Sequence, residues 1–221
     1  MSKARRPPLP VDFIDYQRLY RVIVTVLNAV NANTAHACKF FSIAGSYILS
    51  EIHGLDAKPR FGSAFYRVDD KNDLILAFTD MDAFQRREIC SHSEAFHAWI
   101  ECNGVVIDLL APLFRENQQA GIHDSLRLIP RKMFQRPLNK MSNSPFDLTR
   151  EGDFFLTINP TLTNEMTMEF MSKYMNMDLA TICKHWYKPS PKLMQSQLEM
   201  GCDDGTVTLM KLDKTELIGM W

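Results

Sequence analysis

The sequence predicts an α+β fold, in which helices near the beginning of the chain pack on an antiparallel sheet. Two segments, 13–30 and 38–53, repeat apolar residues at intervals of three or four, the period of an amphipathic helix. Further along, two runs rich in β-branched and aromatic residues flank Asn103-Gly104, which is the strongest short signal of a β-hairpin. The helical segments and the hairpin together indicate the mixed fold class.

The composition is that of one globular domain. The chain has 221 residues, which is enough to bury a sizeable core without disulfides, so we expect a single domain over residues 1–221. The 25 Lys and Arg nearly balance the 26 Asp and Glu, which argues against a nucleic-acid partner. No run of about 18 uncharged apolar residues occurs, so we expect no membrane partner.

The N-terminal residues and the cysteines bear on localisation. Pro7, Pro8 and Pro10 predict that residues 1–12 form an extended arm. The basic start is not followed by the apolar stretch of a secretory signal. The five cysteines are an odd number at irregular spacings, which is typical of reduced thiols in a cytoplasmic protein.

The elements are predicted in the following order. Gly54 is a natural end for the second helix, which begins at about Cys38. Strands are expected at 63–68 and 74–78, separated by the turn Asp-Asp-Lys-Asn-Asp, and then comes the hairpin. For the C-terminal half we predict strands at 126–129, 154–158 and 205–212, and helices at 163–187 and 192–200.

The hairpin predicts which side chains share a face of the sheet. A two-residue turn at Asn103-Gly104 pairs Cys102 with Val105, and directly paired residues share a face. The apolar and therefore core-facing set is Ala98, Ile100, Cys102, Val105, Ile107 and Leu109. The opposite set is His97, Trp99, Glu101, Val106, Asp108 and Leu110. His97 and Asp108 are then diagonal neighbours within hydrogen-bonding reach, either as a functional pair or as solvated residues on a wet face.

Cys38 is predicted to lie at the N-terminus of a helix, a position that favours a nucleophilic thiolate. The free amides and dipole at a helix N-terminus favour the thiolate over the thiol, and Lys39 adds a positive charge nearby. A thiolate beside a histidine that is oriented by a carboxylate is the general form of cysteine catalysis. The alternative is that Cys38 is a small apolar residue at the start of a core stripe.

The order of these residues resembles the papain-like cysteine peptidase superfamily, and most closely its transglutaminase-core branch. Cys38 opens a helix that leads to Gly54-Leu-Asp-Ala-Lys-Pro-Arg60, followed by a strand. Next come His97-Ala-Trp-Ile-Glu101 and then Asp108, which precedes Leu-Leu-Ala-Pro112. The resemblance covers roughly residues 30–112, the catalytic-like core, and leaves 113–221 as the remaining sheet and helical elements. Bacterial proteins of unknown activity with this fold share the same sparse pattern.

The resemblance implies an enzyme with a Cys-His-Asp triad. Cys38 would be the nucleophile, His97 the general base and acid, and Asp108 the orienting residue. The reaction would be hydrolysis or transfer of an acyl group from a peptide, protein or small amide, without a cofactor. The alternative is a catalytically inactive protein of the same fold that serves as a binding or structural module.

One position departs from the pattern of that superfamily. Papain-like peptidases usually have a glutamine six residues before the cysteine as oxyanion donor, and here that residue is Ala32. Asn33 and Asn31 are the candidates to replace it. Trp99 and His36 are further candidates for lining the site.

A zinc site is the competing interpretation of the histidines and cysteines. Cys90, His92, His97 and Cys102 are close in sequence, and both residue types bind zinc. However, the strand alternation puts His97 and Cys102 on opposite faces, and the spacing is unusual for a structural site. We therefore predict no metal.

Overall fold

The structure is a computed structural model, which describes residues 9–116 and 129–221. The helices in this part are α1 (Phe13–Ala29), α2 (Cys38–His53), α3 (Met81–Gln85), α4 (Pro160–Ser172) and α5 (Tyr174–Trp186). The strands are β1 (Ala57–Asp69), β2 (Leu74–Phe78), β3 (His97–Cys102), β4 (Val105–Asp108), β5 (Phe134–Pro137), β6 (Phe154–Ile158), β7 (Gln197–Gly201) and β8 (Val207–Lys211). No helix in these two ranges is both long and apolar enough to cross a bilayer.

The strands form one large antiparallel sheet and a separate hairpin. The large sheet has the order β2-β1-β3-β4-β5, and β6 pairs with the middle of β1, residues 62–66. β7 and β8 pair only with each other within the described part of the chain. The predicted α+β class with an antiparallel sheet is thus confirmed.

Each face of the large sheet carries its own hydrophobic core. On one face, side chains such as Ala98, Ile100 and Ile107 pack in a cluster with residues of α1, α2 and α5. On the other face lies a second cluster, which is largely aromatic and includes Trp99 and Phe134. The alternation of the β3–β4 hairpin assigns its side chains to these two cores as the sequence predicts. The prediction is wrong for Leu110, which lies beyond the end of β4 and packs in the core under the helices.

The hairpin has the predicted register. Cys102 pairs with Val105, and Ile100 with Ile107. Asn103 and Gly104 both have positive φ, at 50° and 74°, as a type I′ turn requires. The prediction is accurate here because an Asn-Gly turn is specified by two adjacent residues and fixes the register of the strands on both sides.

Helix α2 also has the predicted bounds. It begins at Cys38 and ends before Gly54, whose φ of 64° is the left-handed conformation that glycine adopts at helix ends without strain. The preceding residue, Ala37, provides no side-chain hydrogen bond to the first turn. The amides of that turn are therefore not capped by a side chain at position 37.

Predictions for the C-terminal half are partly wrong. The segment 163–187 is two helices rather than one, because Lys173 adopts an extended conformation between α4 and α5. The helix predicted at 192–200 is replaced by β7, in which Leu198 and Met200 alternate with exposed residues and pair with β8. The strands at 154–158 and 205–212 are found as β6 and β8. Residues 126–128 of the remaining predicted strand lie outside the described residues.

Gly62 is a point of close backbone contact, and its replacement is a test of the sheet. A Cβ atom at Gly62 would lie 1.8 Å from the carbonyl oxygen of Thr157 in β6. We expect Gly62→Ala to lower the free energy of unfolding by about 1–3 kcal/mol, because backbone must shift to relieve the overlap. Urea unfolding checks this. Gly201→Ala is the matched control, since nothing lies within 4 Å of its Cβ position; equal effects of both substitutions would contradict the close contact.

Candidate functional site

His97 and Asp108 meet on the aromatic face of the sheet. His97 is the first residue of β3 and Asp108 the last residue of β4. His97 Nε2 lies 2.6 Å from Asp108 Oδ2, and about 1% of each side chain is exposed. The carboxylate can only accept a hydrogen bond, so Nε2 donates. The predicted pairing is thus found, and the alternative of two solvated residues on a wet face is wrong because aromatic side chains cover this face.

The backbone and carboxylate of Asp108 are held by further hydrogen bonds. Its Oδ1 accepts a hydrogen bond from the amide of Leu110 at 3.0 Å. Its main-chain carbonyl accepts one from the hydroxyl of Tyr16, a completely buried residue of α1. The Tyr16 oxygen in turn accepts a hydrogen bond from the amide of Phe134 in β5. Asp108 is therefore fixed from the helical layer as well as from the sheet.

Aromatic rings enclose the imidazole of His97. Phe78 stacks on it with ring centroids 4.4 Å apart and an angle of 28° between the planes. Tyr66 meets it edge-on at 5.7 Å, and Phe114 lies at 6.2 Å. Such an apolar enclosure excludes water and strengthens the electrostatic interaction between the ring and its carboxylate.

The protonation of His97 reflects two opposing effects. Burial lowers the pKa of His97, because it disfavours the charged imidazolium. The charge and the hydrogen bond of Asp108, together with the nearby Cys38 thiol, raise it. The effects that raise the pKa together outweigh that of burial, and the pKa of His97 is raised to about 10. The ring is consequently an imidazolium at neutral pH.

Cys38 lies beside this imidazolium. Its side chain is buried at the first turn of α2 and lies near enough to the ring to contribute to the raised pKa of His97. Since Nε2 is engaged by Asp108, the ring atom available to the thiol is Nδ1. This atom is buried and has no hydrogen-bond partner among the described residues. The site therefore brings together a cysteine sulfur, an imidazole ring and a carboxylate.

The remaining candidates are placed differently. Asn31, Asn33 and His36 are exposed in the segment before α2. Trp99 is 1% exposed and belongs to the aromatic core on the same face as His97. The ammonium group of Lys39 pairs with Glu169 of α4, and its Nζ lies 2.8 Å from the carboxylate. Lys39 is thus part of an ion pair between α2 and α4.

Two tyrosines of the site were not predicted from the sequence. Tyr16 is in α1 and Tyr66 in β1, so neither is near the motif residues along the chain. Tyr16 flanks the apolar stripe of the first helix, and this position indicates an ordinary core residue. Local patterns carry no information on which buried tyrosine will reach Asp108.

The residues of the alternative zinc site are not arranged around a common point. Cys102 belongs to the core under the helices, whereas His97 faces the aromatic core. Cys90 is exposed, as is His92. Over residues 9–116 and 129–221, no group of three or more His, Cys, Asp or Glu side chains is arranged to hold a metal ion.

Similarity to other proteins covers nearly the whole chain. Residues 12–221 match a family described as "Protein of unknown function (DUF2026)". A crystal structure described only as that of a genomics target superposes with a TM-score of 0.84 at 32% identity. The alignment covers 99% of this chain and 100% of that one. Among curated proteins, none matches this sequence. The match over residues 12–221 shows that the chain belongs to the DUF2026 family.

Proposed function

We propose that the protein is a thiol-dependent acyl-transfer enzyme in which Cys38 is the nucleophile, His97 the general acid and base, and Asp108 the orienting residue. The observation that carries this proposal is the buried His97–Asp108 hydrogen bond of 2.6 Å beside a cysteine at the start of a helix. Asp108 engages one ring nitrogen and leaves the other for the thiol. This is the division of roles that a nucleophile, a base and an orienting acid require.

The proposed reaction proceeds through a thioester. The Cys38 proton resides on His97, and the thiolate attacks the carbonyl carbon of an amide. The oxyanion that forms is stabilised by the main-chain N–H of Cys38, with Asn33 or Asn31 as side-chain candidates. His97 then gives its proton to the leaving amine as the C–N bond breaks. Water or a second amine attacks the thioester, returns a proton to His97 and releases Cys38.

The finer assignment is to a papain-like fold of the transglutaminase-core type. It is supported by the order of the elements, with a cysteine-bearing helix before strands that carry histidine and aspartate. Hydrolysis of a peptide, protein or small amide is the leading reaction. Amide formation of the transglutaminase type is the second, because the acceptor depends on which nucleophile reaches the thioester. Neither reaction needs a cofactor. The reduced thiol that both require fits a cytoplasmic protein.

The reactivity of Cys38 tests the proposal. At about pH 6.5, where ordinary thiols are almost completely protonated, we expect iodoacetamide to modify Cys38 faster than Cys90 and Cys202. These two cysteines are exposed and serve as internal references. Peptide mass spectrometry of each cysteine over a time course gives the rates. His97→Gln should slow alkylation of Cys38 by at least about tenfold, because the thiolate loses its imidazolium partner.

The control variant is His36→Gln, which replaces an exposed histidine two residues before Cys38. It should leave the rate at Cys38 unchanged. A rate at Cys38 that is slower than at Cys90 and insensitive to His97→Gln would disprove the enzymatic proposal.

The second candidate is a binding or structural module with the same fold. It is favoured by burial, since Cys38 is 7% exposed and His97 is completely covered. A buried thiol without reactivity is the result that this alternative predicts.

A further inference from the structure

Tyr16 is a buried polar residue that touches two strands at the site, and the proposed reaction does not use it. It lies in α1, and its side chain is completely buried. Its hydroxyl donates to the main-chain carbonyl of Asp108 and accepts from the amide of Phe134 at 3.4 Å. Asp108 and Phe134 are the pair at one end of the β4–β5 ladder. The hydroxyl therefore joins a helix to the end of two paired strands.

The main chain of Asp108 needs such a contact, because the hairpin alone does not hold it. The ladder between β3 and β4 ends with the pair Ile100–Ile107, one residue before Asp108. Asp108 is also the last residue of β4. Pairing with β3, the strand that begins at His97, therefore does not fix the carbonyl of Asp108. The contacts that remain for this backbone are β5 and the hydroxyl of Tyr16.

Helix α1 is a firm support for this hydroxyl, because the residues on either side of Tyr16 are bonded to the C-terminal part of the chain. Asp15 Oδ1 accepts a hydrogen bond from the amide of Ser190 at 2.7 Å. Gln17 Oε1 accepts one from the amide of Leu217 at 2.8 Å. Both bonds join segments that are far apart in sequence. The C-terminal part of the chain thus holds the helix turn from which Tyr16 reaches the site.

We propose that Tyr16 is a positioning residue of this site, which fixes the end of β4 through the carbonyl of Asp108 and so keeps the Asp108 carboxylate against His97. The bond from His97 Nε2 to Asp108 Oδ2 is 2.6 Å long, and a charge-assisted bond of this kind weakens as it lengthens. A backbone shift at Asp108 would move the carboxylate with it. This role rests on the proposed function, since it matters for catalysis only if Cys38 and His97 react.

The strength of the His97–Asp108 hydrogen bond is the quantity to measure. In protein labelled with ¹⁵N-histidine, the His97 Nε2–H proton is observed by NMR and assigned by its loss in His97→Gln. In Tyr16→Phe we expect this resonance to move upfield, because the released end of β4 lengthens the bond. We also expect the titration of the His97 ring to move to lower pH by about 0.5–1 unit, since the imidazolium is less well stabilised. An unmoved or downfield resonance overturns the proposal.

Tyr20→Phe is the matched control. Tyr20 lies one turn further along α1, is also buried, and stacks on Phe41 of α2 with ring centroids 6.3 Å apart. The substitution removes a tyrosine hydroxyl from the same helix and leaves the bond from Tyr16 to Asp108 in place. The Nε2–H resonance should therefore stay at its wild-type position, even if the thermal unfolding midpoint falls. Equal upfield movements in both variants would show a general loosening of α1 and overturn the specific role of Tyr16.

A second variant covers the case in which Tyr16→Phe does not fold. Site-specific replacement of Tyr16 by 4-aminophenylalanine retains the size of the side chain, but an aromatic amine is a weaker donor than a phenol. The Nε2–H resonance should again move upfield, and no movement or a downfield movement overturns the proposal. These measurements do not depend on the reactivity of Cys38. Absence of alkylation at Cys38 would disprove the proposed enzyme, whereas an unresponsive Nε2–H resonance would disprove only the role of Tyr16.

Discussion

Replacement of Asp108 by alanine is expected to lower the free energy of unfolding by about 3–5 kcal/mol, the usual cost of removing one partner of a buried ion pair. The imidazolium of His97 would remain buried among aromatic rings without its counter-charge. The amide of Leu110 would also lose its acceptor. Urea unfolding at neutral pH measures the loss, and a change below about 1 kcal/mol would contradict a tightly coupled pair.

Two further variants separate the charge of Asp108 from its hydrogen bonds. Asp108→Asn removes the negative charge but keeps one acceptor oxygen, which can serve the amide of Leu110 or the ring of His97, so its effect should be smaller than that of alanine. The variant that combines Asp108→Ala with His97→Ala should lose less stability than the sum of the two single losses, because each single substitution already breaks the same interaction. Additive losses would show that the two residues stabilise the fold independently.

The parts of the site that the sequence predicts are those set by short-range geometry. The pairing of His97 with Asp108 follows from one Asn-Gly turn and the alternation of side chains along a strand. The position of Cys38 follows from the apolar period of α2 and the glycine that ends it. In both cases a few residues that are close in sequence determine the local structure.

The environment of the site depends on contacts between distant segments and could not be predicted in this way. Phe78, Phe114 and Tyr66 come from three separate parts of the chain, yet all three enclose the same imidazole. Because these rings cover it, the sheet face that carries His97 and Asp108 is part of a buried core. The alternation along the hairpin alone was equally compatible with a solvated face, since it says which side chains share a side but not what covers them.

The errors in the C-terminal half have a similar origin. The run 163–187 has a helical period throughout, and only the extended conformation of Lys173 divides it. The segment 197–201 is a strand because β8 provides its hydrogen-bond partners, and Leu198 and Met200 bury their side chains against the core under the helices. Strand propensity of this kind depends on the partner more than on the segment itself.

The stability of the protein is expected to fall as the pH rises from about 7 to about 9.5, by up to about 1.4 kcal/mol per pH unit from His97 alone. The pKa of His97 is raised from its ordinary 6.5 to about 10 in the folded protein. Between these two values the folded chain keeps a proton that the unfolded chain has lost. The stabilising contribution of the imidazolium is thus complete below about pH 6.5 and is lost as the pH approaches 10.

The comparison with variants isolates this contribution from those of other groups. Burial raises the pKa of the Cys183 thiol, which therefore also makes stability fall above about pH 8.5, but it does so equally in every variant. Urea unfolding at a series of pH values should give a steep dependence for the wild type and a flatter one for His97→Gln. Asp108→Asn should flatten it as well, because the charge that keeps the ring protonated is gone. Parallel curves for all three proteins would mean that His97 is neutral in the folded protein, and the imidazolium on which the proposed chemistry depends would be absent.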